Sequence, residues 1–270
     1  MKFTSPSRTI QNAIALAIKS EFEILLDPRE IGLDICYPKY NSHYVSAIAL
    51  GIYHRVGIEA NQIAERVSEA ITETCLSNSQ IFAEWAIKPS NQGLLNIHLK
   101  DLYLSKSIHT LMSWRLDEAF FEESSDQFQF WQKRDISINP SQHSPEPMQQ
   151  YAYARCCALI RLIDRTDGEN SLHIKTIREI ESMKTEEVSL LLRNLAIADY
   201  LENENLLLSN SPKRQKLSRS LAEAFLQFYD RCRIFGVSHE IAIRRLLLIR
   251  VTQKCLAAIS PPDINYAMYL

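Results

Sequence analysis

The stretch QQYAYARCCALIRLI, residues 149–163, sets Tyr151, Tyr153 and Arg155 at the head of an apolar run, directly after the proline-flanked SPEPM. Aromatic faces and a guanidinium in that position have two uses. They decorate a core helix, or they meet something outside the chain. A second group with chemical potential is the basic run Lys213, Arg214, Lys216 and Arg219, which reads either as a phosphate contact or as a solvated loop. The six cysteines are scattered and form no C-x-x-C pair. Adjacent Cys156 and Cys157 diverge by about 100° around a helix, a poor geometry for sharing a metal, so buried reduced thiols are expected. The seven histidines are dispersed, and surface or capping roles are expected for them. No G-x-x-x-x-G-K-[ST], G-x-G-x-x-G, H-E-x-x-H or G-x-S-x-G is present, and His239-Glu240 has isoleucine where a second zinc-binding histidine would stand. No catalytic residue, metal or cofactor is nominated.

The elements that must position these residues are mostly helices. Hydrophobic residues make 46% and charged residues 23% of the 270, an ordinary globular balance, and only 6 glycines argue against barrels, sandwiches and glycine-lined phosphate loops. Ile14, Ile18, Phe22 and Leu25 fall on one helical stripe. Ser42 is placed to cap a second helix bearing Val45, Ala49 and Ile52, with Gly57 as its left-handed stop, and a third helix from about residue 59 carries Ile63, Val67 and Ile71. In IFAEWAIKPSNQGLLNIHL, Phe82, Trp85 and Ile87 precede a turn-rich KPSNQG, and Leu95, Ile97 and Leu99 alternate after it, which predicts a β-hairpin. Periodicity then fails from 114 to 148 in a charged, proline-rich stretch that still holds Phe128, Phe130 and Trp131, and this reads as a linker. Four amphipathic helices follow, near 150–165, 186–201, 217–235 and 239–259, with a polar connection over 201–216. The chain is therefore expected to be mainly α, a small N-terminal α+β domain over 1–112 and a linker over 113–148 preceding an all-α helical bundle over 149–270.

Charge is a weak guide. The net charge is −2; residues 1–144 carry 13 Lys and Arg against 17 Asp and Glu, and residues 145–270 carry 17 against 15, so a polyanion would meet the second half first. No run of about 18 apolar residues occurs and the N-terminus shows no cleavage signal, so a soluble, cytoplasmic protein with no membrane contact is expected.

In this frame QYAYAR, residues 150–155, resembles the Q-Y-A-H-A-R opening of the DALR anticodon-binding domain of arginyl-tRNA synthetases, with Tyr153 where histidine is usual. FLQFYDRCRIFG, residues 225–236, is similar to the family's F-H-S-F-Y-N-A-C-R-V-L-G, and RLLLIRVTQKCLA, residues 245–257, resembles R-L-A-L-V-x-A-T-R-Q-V-L-A. The first domain resembles the N-terminal tRNA-contacting domain of the same synthetases, through HYVSAIALGIYHRVGIEANQIAERV at 43–67 and GLLNIHL at 93–99, the latter similar to G-F-I-N-F-R-L. The family places a Rossmann-type catalytic domain with H-I-G-H and K-M-S-K signatures between these modules; here only the linker stands there.

The resemblance implies tRNA or tRNA-like RNA as ligand and no aminoacylation by this chain alone. Residue by residue it nominates Gln150, Tyr151 and Arg155 for unpaired anticodon bases, through stacking and guanidinium contacts. It nominates Asn91 and Asn96 in the hairpin, where Leu94 replaces a phenylalanine and removes a stacking face; turn and strand-end roles are the other reading of these two asparagines. The apolar tail of the family is replaced by SPPDINYAMYL, whose Tyr266, Met268, Tyr269 and Leu270 either supply a new platform for bases or seal the bundle. Independently of the resemblance, Lys213 and Arg214 of the basic run are candidate phosphate contacts or part of a solvated loop, and Phe228 and Tyr229 fall at core spacing. Two other readings stand beside RNA binding: a protein interaction module that reuses the scaffold, and a helper of a separate synthetase.

Overall fold

The structure, a computed structural model, describes residues 5–38, 42–77, 85–114, 146–167, 182–203, 211–260 and 266. The chain packs as two compact units, Met1–Ser107 with Arg178–Glu202, and Ile108–Ile177 with Asn203–Leu270. Eight α-helices and a four-stranded sheet are formed among the described residues, so the chain is mainly α with a small α+β region ahead of a helical one.

Helix α1 (Pro6–Phe22) begins where Ser5 accepts a hydrogen bond from the Arg8 amide at 3.2 Å and proline occupies the first turn. It stops at Glu23, which adopts the left-handed conformation with φ 56°. Leu25, expected to extend the apolar stripe, lies beyond that stop and is 75% exposed. The sheet is antiparallel throughout, in the order β1-β2-β4-β3, from β1 (Asp34–Ile35), β2 (Tyr44–Ser46), β3 (Trp85–Pro89) and β4 (Leu95–Leu99). The hairpin expected from the alternation of Leu95, Ile97 and Leu99 is β3 with β4; Phe82 lies outside the described residues. The two further strands correct the expectation from sequence, since 44–46 is strand and not part of a helix capped by Ser42. Helix α2 (Ile48–Val56) starts later, at Ala47, without a side-chain cap, and Ser42 is buried. Gly57 closes α2 with φ 78° as its position foretold.

Helices α1 and α3 (Ala60–Ser77) pack on one another, and α3 also packs on β3, burying Ile14, Ile18, Ile63 and Val67 with Leu95 and Ile97. The hairpin turn fixes where α3 can lie. Gly93 has φ 76°, and a Cβ there would sit 2.7 Å from the Cβ of Ala60, so both conformation and space demand glycine. Helix α4 (Asp101–Ser113), which the periodicity did not single out, buries Leu104, Ile108 and Leu111. Helix α6 (Thr185–Asn203) also differs from expectation. Read as part of the bundle, it shares its compact unit with the N-terminal residues through 202, where Ser7 donates a short hydrogen bond to Asp199 Oδ2. Its Leu190, Leu191 and Leu192 are all fully buried, so the helix has no solvent face there and its stripe carries little direction.

In the second unit α5 (Pro147–Asp167) packs on both α7 (Pro212–Arg231) and α8 (His239–Ile259), and α7 packs on α8. Cys156, Leu221, Phe225, Phe228, Val251 and Cys255 form the centre of this core. Cys36, Cys156, Cys157, Cys232 and Cys255 are free thiols. The linker aromatics Phe128, Phe130 and Trp131 lie outside the described residues. No described helix is long and apolar enough to cross a membrane.

Candidate nucleic-acid interface

The head of α5 is built by its own periodicity. Ala152, Cys156 and Ile163 are buried, which turns Tyr151 and Arg155, one turn apart, outward on another face. Tyr151 is 37% exposed. The Arg155 guanidinium carbon lies 5.6 Å from the Tyr151 ring centroid and 5.2 Å from that of Tyr229 on α7, so the cation is held by two aromatic rings. Arg155 Nε also donates to the Tyr151 hydroxyl at 3.3 Å, and this bond is the main cause holding the arginine further into its charged form. The result is a pre-ordered planar cation beside two tyrosine rings, a combination of charge and aromatic surface suited to unpaired bases. Tyr229, read from its spacing as core, is the third member of the site: it is half-buried, while Phe225 and Phe228 beside it are fully buried. Its i+4 offset from Phe225, whose ring lies 6.3 Å away, made it indistinguishable from a core residue in sequence.

Gln150 is half-buried on the same turn. The basic cluster is placed differently from expectation. Residues 212–216 are the first turn of α7 and not a loop, because Ser211 caps that helix by accepting from the Arg214 amide at 3.2 Å and Pro212 opens it. Arg214 is only 5% exposed, and its guanidinium donates to the carbonyls of Ile259 and Ser260 at the end of α8. It is a structural cap and is not available to phosphate, which corrects its nomination. Arg219 forms a two-armed ion pair with Glu146 at 2.9 and 3.1 Å. Lys213 and Lys216 remain exposed. Arg155, Lys213, Arg214 and Arg219 therefore do not add up to one continuous cationic face.

At the other flank of the α5 head, Tyr266 stacks on Tyr153 with centroids 4.8 Å apart and planes 20° from parallel. Met268 lies outside the described residues. In the first unit, Asn91 is exposed at the tip of the β3–β4 turn and Asn96 is half-buried on β4, opposite Lys88 and Val45. Leu94 is half-buried and offers no ring. No group of three His, Cys, Asp or Glu that could hold a metal exists among the described residues.

The three packed helices α5, α7 and α8, with an aromatic and arginine head, carry a recognisable pattern. Residues 149–260 match the DALR anticodon binding domain. This DALR segment runs on in sequence through α6, although that helix packs largely with the first unit. The chain is also similar to arginine–tRNA ligases. It is 28% identical to that of Synechococcus sp. (strain JA-3-3Ab) over 131 residues, 45% of this chain and 21% of the ligase. It is 29% identical to that of Chlorobium phaeovibrioides over 123 residues, 45% of this chain and 22% of the ligase. A third, from Acetivibrio thermocellus, is 26% identical over 129 residues, 44% of this chain and 21% of the ligase. The chain thus spans about a fifth of the length of the curated relatives it matches. No solved structure matches it.

Proposed function

We propose that this protein is a non-catalytic, cytoplasmic relative of arginyl-tRNA synthetase that binds tRNA or a tRNA-like RNA, with the DALR segment gripping unpaired bases and the N-terminal unit contacting the RNA elsewhere. The observation that carries the reading is the Arg155 guanidinium held against both Tyr151 and Tyr229 on the segment that matches an anticodon binding domain. A planar cation and aromatic faces bind unpaired bases by stacking, which needs no general basicity and so agrees with a net charge of −2. The proposed organisation is an N-terminal domain over 1–112, a linker over 113–148 and an RNA-binding domain over 149–270, with Asn91 and Asn96 as the N-terminal contacts. The lack of the ATP-binding signatures supports a role without catalysis.

One observation favours the second reading, a module for a protein partner such as a synthetase. The burial of Arg214 and the pairing of Arg219 with Glu146 leave less cationic surface for phosphate than the sequence offers. One assay tests the absence of catalysis and a second separates the two readings. Incubation with arginine, ATP and total tRNA yields no charged tRNA, whereas charging would overturn the non-catalytic assignment. In copurification after nuclease treatment, a stable protein partner retained by Tyr151→Ala and Arg155→Ala together would favour the interaction module over RNA binding.

A further inference from the structure

We infer that Gln149 and Tyr153 form a second nucleobase subsite on the flank of α5 away from Tyr151 and Arg155, and that the chain's own Tyr266 fills it as a displaceable stand-in for the base. The inference rests on the RNA-binding reading and adds residues and a means of control that neither the family match nor the resemblance supplies.

Three features carry it. First, Tyr153 follows Tyr151 by two residues, a rotation of about 200° around the helix, so its ring serves a different flank from the Arg155 site. Second, Tyr266 is held as an unpaired base would be held. Its ring lies nearly parallel to Tyr153 at 4.8 Å, and its polar edge is read by an amide, the hydroxyl donating to Gln149 Oε1 at 3.4 Å. A flat face on an aromatic ring and a polar edge on a buried carboxamide are the two contacts by which unpaired bases are recognised. Gln149 is 8% exposed, so its amide is part of the wall and not a surface decoration.

Third, platform and occupant are fastened unequally. The Tyr153 hydroxyl bonds to the Cys157 thiol, which in turn accepts from Gln253 Nε2 of α8 at 3.0 Å, so the ring is locked into the bundle whatever lies on it. Tyr266 lies seven residues beyond the end of α8, outside any helix or strand, and is held there by the stack on Tyr153, a bond to Gln149 near the outer limit for a hydrogen bond, and a bond with Ser260. A base presenting a donor to Gln149 replaces the stack and the Gln149 bond, and the Tyr266 contact with Ser260 is given up.

The test is equilibrium binding of a short single-stranded RNA of mixed sequence, and of total tRNA, to the full chain and its variants. Tyr266→Ala is expected to raise affinity for the short RNA several-fold, Tyr153→Ala to lower it, and the double variant to bind like Tyr153→Ala. Tyr266→Phe keeps the ring, drops the bond to Gln149 and is expected to move affinity upward by less; it keeps the test alive if the alanine variant folds poorly. Weaker or unchanged binding in a folded Tyr266→Phe or Tyr266→Ala protein overturns the inference. If tRNA binds and Tyr151→Ala weakens it while Tyr266 variants bind no tighter, only the second subsite falls. If neither wild type nor any variant binds tRNA, the RNA-binding reading itself falls.

Discussion

Arg155 and Arg214 show how one residue type takes opposite parts in this molecule. Arg155 lies across two ring faces, so its planarity is as relevant as its charge. Arg155→Lys keeps the charge and loses the plane; it is expected to weaken tRNA binding about tenfold, a change of about 1.4 kcal/mol, and retention of full affinity would show that charge alone is used. Arg214 instead satisfies the carbonyls of Ile259 and Ser260 from a buried position. Arg214→Met is expected to cost about 1–3 kcal/mol of stability, seen as a lower denaturation midpoint, with RNA affinity of the folded protein unchanged. Sequence could not separate the two, because the partners of Arg214 lie 45 and 46 residues away. Tyr229 was equally opaque: its spacing from Phe225 fits core or surface, and only the packing of α5 on α7 decides.

At the scale of elements, legibility followed length. The long stripes of α5, α7 and α8 and the alternating β3–β4 hairpin were visible, whereas β1 and β2, two and three residues long, are too short to show a period. The start of α7 was readable in the Ser211-Pro212 pair, a cap followed by proline, but its basic residues suggested a loop instead. Buried titratable groups in the first unit make its stability depend on pH in two opposing ways. Burial raises Asp199 on α6 from 3.8 to about 6, with the Ser5 and Ser7 hydroxyls pulling against it. A raised acid contributes stability that is complete below 3.8 and lost as pH rises to about 6. Asp199→Asn, which keeps an acceptor for Ser7, is expected to raise the denaturation midpoint at neutral pH and to lose that advantage near pH 4; no gain at neutral pH would refute the assignment. His43 runs the other way. Burial, then the charge of His98, lowers it from 6.5 to about 4, while its Nδ1 accepts from the Leu99 amide at 2.7 Å. Its contribution is complete above 6.5 and lost as pH falls to about 4, so His43→Gln should flatten the midpoint across that window, and an unaltered slope would contradict it.

For the molecule as a whole, the arrangement has two compact units, one carrying an aromatic-flanked arginine on a segment matching an anticodon binding domain, and a net charge that offers little general attraction to nucleic acid. Binding should therefore divide into a modest salt-dependent part from exposed lysines and a salt-insensitive part from stacking. Titration of total tRNA against the full chain over a range of salt, with wild type, Tyr151→Ala and Lys213→Ala, reads both parts. The expected result is specific binding at low salt, a loss of about 1–3 kcal/mol in Tyr151→Ala with an unchanged salt slope, and a slope smaller by about one in Lys213→Ala. Absence of binding at low salt, or equal binding to heparin with no effect of Tyr151→Ala, would contradict the assignment of this protein to RNA.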